Sequence, residues 1–119
     1  MIALAKIMDA SRRLKGVVEH TKLAFAPKLS ELSQAKVYVK QENLQNTGSF
    51  KLRGAFNKIA TLTQEERNNG VIASSAVNHA QGVVYSAKHY GIRVVIVVSD
   101  STTLLTVMGG KVLGAEAIL

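Results

Sequence analysis

Cysteine is absent from the 119 residues. That excludes disulfides, thiolate zinc sites and cysteine nucleophiles, and it accords with a reducing, cytoplasmic setting. Aromatic residues make up only 5%, so alanine and aliphatic side chains have to fill any core. Long apolar runs are missing as well. The longest, Val94 to Val98, is far short of the ~20 residues that a membrane span requires. The apolar start before Lys6 is too short for a signal peptide, and its basic residues follow rather than precede it. The chain is therefore expected to be soluble. It shows no internal repeat, linker or low-complexity segment.

What is present is enough to fold. Hydrophobic residues are 47% of the chain, which supports a core and argues against disorder. The length suits one domain. Fifteen lysines and arginines against eight acids give a net charge of +7. These cations are scattered from Lys6 to Lys111 without interleaved aromatics, so a solvated surface is expected rather than nucleic-acid binding.

Periodicity then orders the chain. Ile7, Leu14, Val17 and Val18 share one helical face over residues 7–18. A short helical stretch follows at 26–32. The alternation in "KVYVKQ" predicts a strand near 36–41. Leu52, Ala55, Phe56 and Ile59 keep helical spacing, and Thr63 with Glu66 has capping-box spacing. "VIASS" predicts a buried strand. Ala80, Val83, Val84 and Ala87 mark another helix, with Gly91 as its left-handed cap. "IRVVIVVS" predicts a strand covered on both faces. A weaker helix at 103–112 and a strand at 116–119 complete the pattern. Alternating strands and helices predict an α/β fold: a parallel sheet with flanking helices in three layers, joined by right-handed crossovers.

Ligands of such folds collect where strands hand over to helices. Two of these junctions are unusually polar: "NTGSFK" at 46–51 and "SSAVNHAQG" at 74–82. Lys51 opens a helix, where the dipole disfavours a cation and, with partial burial, favours the neutral amine that imine chemistry requires. The bland alternative is that Lys51 extends to solvent. His79 is a general base, a ligand or a helix-start residue, with no acid or second histidine at metal-ligand spacing. Asn78 binds a ligand or fixes a turn. Ser74 and Ser75 lack a paired base and a nucleophile elbow. Gly109-Gly110 falls inside a helical pattern and makes no phosphate loop.

Together, "KQENLQNTGSFKLRGAFNKI" and "SAVNHAQGVVYSAKHYGI" resemble the N-terminal part of the serine/threonine dehydratases, which include threonine ammonia-lyase. These are pyridoxal-phosphate enzymes of the tryptophan-synthase-β-like fold type. The resemblance runs from "RLKGVVEHT" to "LGAEAIL". It implies an N-terminal helical segment over 1–35, an incomplete small domain over 36–119, and a large domain that is absent. It implies that Lys51 carries pyridoxal phosphate and later moves protons at the substrate α-carbon. Phe50 would lie beside the cofactor ring, and Asn78 would bond the cofactor's hydroxyl. Ser75, Ala76, Val77, Asn78 and His79 would hold the carboxylate of an amino-acid substrate. Alanine at 76, where related racemases tend to have serine, favours elimination of water and ammonia. No metal is implied.

Departures from the family pattern accompany the match. Glycine is usual where Val77 stands; were φ positive there, a β-branched residue would cost about 1–3 kcal/mol. Thr21-Lys22 replaces a Thr-Pro pair, prolines near Ser99 and Thr103 are missing, and so is a lysine near Thr106. The family's glycine-rich phosphate loop lies beyond residue 119. A chain lacking it is expected to hold the cofactor weakly, to expose apolar surface and to self-associate. The alternatives are a degenerate non-catalytic fragment and a small α/β ligand-binding module unrelated to the cofactor.

Overall fold

The structure, a computed structural model, describes residues 1–75, 77–98 and 116–118, the last three as backbone. The helix expected at 103–112 lies outside the described residues. Two sheets organise the described residues. Strands β3 (Val71–Ser74), β4 (Val94–Val97) and β5 (Glu116–Ile118) form a parallel sheet in the order β3-β4-β5. The register sets Val71 against Val94 and Ser74 against Val97. Strands β1 (Leu23–Phe25) and β2 (Tyr38–Lys40) form a separate antiparallel ribbon.

That ribbon corrects the expectation that residues 36–41 add a parallel strand. Ala24 lies opposite Val39, and both ribbon strands are largely exposed. Between them, helix α2 (Pro27–Ser33) begins on proline, whose fixed φ suits a first helical position. The segment 1–35 is therefore not helical throughout, and its strand pairs across residue 35.

Helix α1 (Leu4–Leu14) ends earlier than its apolar spacing predicts. Gly16, at φ +79°, turns the chain, and no residue of α1 is buried. The amphipathic stripe meets little of the described protein.

The core lies between helices α3 (Lys51–Ala60), α5 (Asn78–His89) and the parallel sheet. The stripe read from sequence on α3 is its buried set: Leu52, Ala55, Phe56 and Ile59. The α5 stripe of Ala80, Val83, Val84 and Ala87 is buried too, against Val94, Ile96 and Val98. β4 is covered on both faces, for Val95 is also buried. β3 is not the buried strand expected: Ile72 is 72% exposed.

Caps agree with the sequence. Helix α4 (Gln64–Asn69) starts on a complete capping box between Thr63 and Glu66. Those hydrogen bonds hold the Glu66 carboxyl below its ordinary range. Gly91 closes α5 at φ +65°, with Ile92 N–H donating to Ala87 C=O and Gly91 N–H to Lys88 C=O. This is the two-bond cap that glycine favours.

Candidate active site

The loop before α3 is tethered from behind. Gln45 is buried; its amide donates to Glu19 C=O at 2.7 Å and accepts Glu19 N–H at 3.1 Å. Asn46 donates to Val17 C=O at 3.0 Å and to the Tyr85 hydroxyl of α5 at 3.3 Å. Gly48, at φ +68°, makes a left-handed corner open to a glycine. Ser49 follows, buried, and Phe50 caps α3 without a side-chain hydrogen bond. Lys51 is the first residue of the helix. Its side chain is exposed, as in the alternative in which Lys51 extends to solvent, and its Nζ stands 5.1 Å from the centre of the Phe50 ring.

The second polar junction lies at the end of β3. Ser75 is half-buried and donates its N–H to Val97 C=O at 3.1 Å. Ala76 lies outside the described residues. Val77 has φ −137°, so the penalty expected of a β-branched residue in left-handed backbone does not arise. Its side chain is 47% exposed at the mouth of α5. Asn78 and His79 open α5, both exposed. His79 also lines a 260 Å³ pocket with Ala55, Ile59, Ile72 and Val83. Among the described residues no cluster of acids and histidines could hold a metal.

Gly82 joins the two junctions. A Cβ there would lie 3.2 Å from the Lys51 carbonyl carbon and oxygen and from the Leu52 nitrogen. The first turn of α3 therefore rests directly on α5. Asn78 is four residues before Gly82, one turn back on the same face and about 6 Å along the axis. The α5 residue that meets the Lys51 main chain thus stands one helical turn beyond Asn78.

The charged residues behind this junction were not singled out from the sequence. Arg53, in the first turn of α3, forks onto Glu42: Nε donates to Oε2 at 2.9 Å and Nη2 to Oε1 at 2.7 Å. The Thr21 hydroxyl donates to the same carboxylate, and Lys40 Nζ lies 3.6 Å from it. The Arg53 fork, offset by partial burial and aided by Thr21, holds the Glu42 carboxyl down to about 2. Arg53 is pushed further up by the same pair. Opposite charges eleven residues apart carry no local pattern. Gly82 did leave a trace, as a glycine inside a helical pattern, costing about 1 kcal/mol against alanine.

Two buried hydroxyl oxygens in the loop before Lys51, Thr47 Oγ1 and Ser49 Oγ, have no hydrogen-bond partner among the described residues. An amine outside any ion pair among the described residues, an aromatic ring beside it and unpaired donors in the preceding loop suit an anionic carbonyl cofactor. The comparisons agree. The sequence profile of the pyridoxal-phosphate dependent enzymes matches residues 14–119. The chain belongs to that family.

Within it, the chain is 50% identical to L-threonine ammonia-lyase of Thermotoga maritima over 119 residues, all of this chain and 30% of that one. It is 44% identical to the biosynthetic L-threonine dehydratase of Bacillus subtilis over 102 residues, 86% of this chain and 24% of that one. The fold matches serine racemase from Dictyostelium discoideum with a TM-score of 0.90 at 33% identity, covering 98% of this chain and 38% of that one. Threonine deaminase isoform 2 from Solanum lycopersicum gives 0.85 at 34% identity, over 97% and 34%. The chain thus spans between about a quarter and two fifths of the length of these relatives. No helix among the described residues is long and apolar enough to cross a membrane.

Proposed function

We propose that this chain is the lysine-bearing part of an L-threonine or L-serine dehydratase, a lyase that removes water and ammonia to leave a 2-oxo acid. The contact of Gly82 with the Lys51 main chain supports the reading, because Gly82 lies one helical turn from Asn78 on α5. On this reading Lys51 would bear the cofactor, Phe50 would lie beside its ring, and the Asn78 amide would bond its hydroxyl. Ser75, Ala76, Val77, Asn78 and His79 would hold the substrate carboxylate with N–H and side-chain donors at the start of α5. Bound pyridoxal phosphate supplies the electron sink that makes the substrate α-proton removable.

The chain's own part is positioning and proton transfer. The α5 junction fixes the carboxylate. The Lys51 amine would take the α-proton and pass a proton to the β-hydroxyl, which departs as water. Hydrolysis of the product imine then releases ammonia, and threonine becomes 2-oxobutanoate. Residues 1–35 and 36–119 would be the N-terminal segment and the small-domain portion of this enzyme. Its partners would be the amino acid and, through exposed apolar surface, further copies of itself.

Grafting tests the reading. This chain, substituted for the matched segment of the Thermotoga maritima enzyme, should support release of 2-oxobutanoate from L-threonine. In the graft, Lys51→Ala should lower the rate by at least about 10³-fold, as loss of a covalent catalyst does. An active Lys51→Ala graft would remove the assignment. The 119 residues assayed alone should release no 2-oxobutanoate.

A further inference from the structure

The first turn of α3 lacks a side-chain cap. Phe50 supplies none, and Arg53 N–H donates to Phe50 C=O at 3.1 Å where the helix begins. Such a turn tends to fray. Yet it carries Lys51. Two contacts oppose fraying: Gly82 lies against the Lys51 main chain, and the Arg53 side chain is gripped by Glu42.

The grip reaches far in sequence. Arg53 Nη2 donates to Glu42 Oε1 and to Glu19 C=O, the latter at 3.1 Å. Lys40 Nζ donates to Thr21 C=O at 2.8 Å, and Gln45 pins Glu19 from both sides. Residues 19–21, the end of β2, the 3₁₀ turn Glu42–Leu44 and α3 therefore meet on one carboxylate. Its side chain is 13% exposed, so water competes weakly for it.

We infer that Glu42 is a positioning residue for Lys51: by forking Arg53 it fixes the first turn of α3 and hence where the amine stands. The inference rests on the reading of Lys51 as the cofactor lysine only for its purpose; the geometry stands apart from it. A bidentate fork fixes direction as well as distance, which a lysine could not reproduce.

The test uses the 119-residue chain and the ring current that Phe50 imposes on Lys51, whose Nζ is 5.1 Å from the ring centre. In the parent, the Lys51 side-chain methylene proton resonances should be displaced upfield from those of other lysines. In Glu42→Gln the displacement should vanish, and amides of the first α3 turn should exchange about tenfold faster, while the methyls of Val84 and Ile96 keep their shifts. Arg53→Lys should fail to restore the displacement, since charge alone does not supply the fork. If Glu42→Gln does not fold, the pair Glu42→Gln with Arg53→Met, which leaves no guanidinium without its carboxylate, takes its place. A folded variant that keeps the Lys51 displacement overturns the inference, as does its retention in Arg53→Lys. Loss of the displacement together with an active Lys51→Ala graft upholds the positioning and removes the cofactor reading instead.

Discussion

Gly82 and Glu42 decide, residue by residue, whether Lys51 is held. Gly82→Ala gains about 1 kcal/mol of helix propensity. Its new Cβ meets backbone at 3.2 Å, and crowding of that kind costs about 1–3 kcal/mol. The two nearly cancel, so chemical denaturation should show a change within about 2 kcal/mol. Position does not cancel. In the grafted enzyme the same change should lower turnover about tenfold, because α3 must back away from α5. Glu42 makes a second prediction. Its carboxyl titrates at about 2 when folded, against an ordinary 4.5. The folded value is depressed, so the stabilisation is complete above about pH 5 and is lost as pH falls through 4.5 toward 2. Glu42→Gln should cost roughly 1–3 kcal/mol at neutral pH and much less near pH 2, flattening the acid limb of stability against pH. An unchanged acid limb would contradict the assignment.

Among elements, those with an apolar stripe and a local cap were legible in the sequence. α3 and α5 show four buried residues each where the spacing put them, and Gly91 and Thr63 stop and start helices as read. Such signals lie within a few turns of one another. The ribbon was not legible in the same way. β1 is three residues long, and β2 alternates as readily for an antiparallel partner as for a parallel one. The junction followed the same division. Both polar loops were visible, but their meeting at Gly82 depends on the α3–α5 crossing, and the Glu42–Arg53 fork on the return of residues 19–21. Phe56 tests the crossing. It is 1% exposed and packs with His89 and Tyr90 at centroid distances of 5.1 and 5.4 Å. Phe56→Ala should cost about 3–5 kcal/mol by denaturant unfolding. A loss below about 1 kcal/mol would mean that α3 and α5 do not share this core.

The whole molecule is divided in its exposure. Around α3, α5 and β4 the apolar residues are inside, whereas in α1, α2 and the ribbon they face out. Ile2, Leu4, Ile7 and Met8 are at least half exposed, as are Leu23, Phe25, Leu32 and Tyr38. Phe25 and Tyr38 form a ring pair 5.4 Å apart on the ribbon itself. A small domain rarely leaves so many large apolar groups in water without a partner surface. The ribbon is short, and its outer edges add unpaired backbone groups. The net charge of +7 opposes association, but that repulsion is screened beyond about 8 Å at physiological salt, while apolar contact is not. The 119-residue chain should therefore sediment as a concentration-dependent mixture, with association strengthened by salt. Phe25→Lys should shift the mixture toward monomer by adding a charge where two copies would meet. Because Phe25 pairs with Tyr38 on the ribbon and lies outside the buried core cluster, unfolding of that core should change little. A parent chain that stays monomeric across concentration and salt would show that these side chains find cover within one molecule.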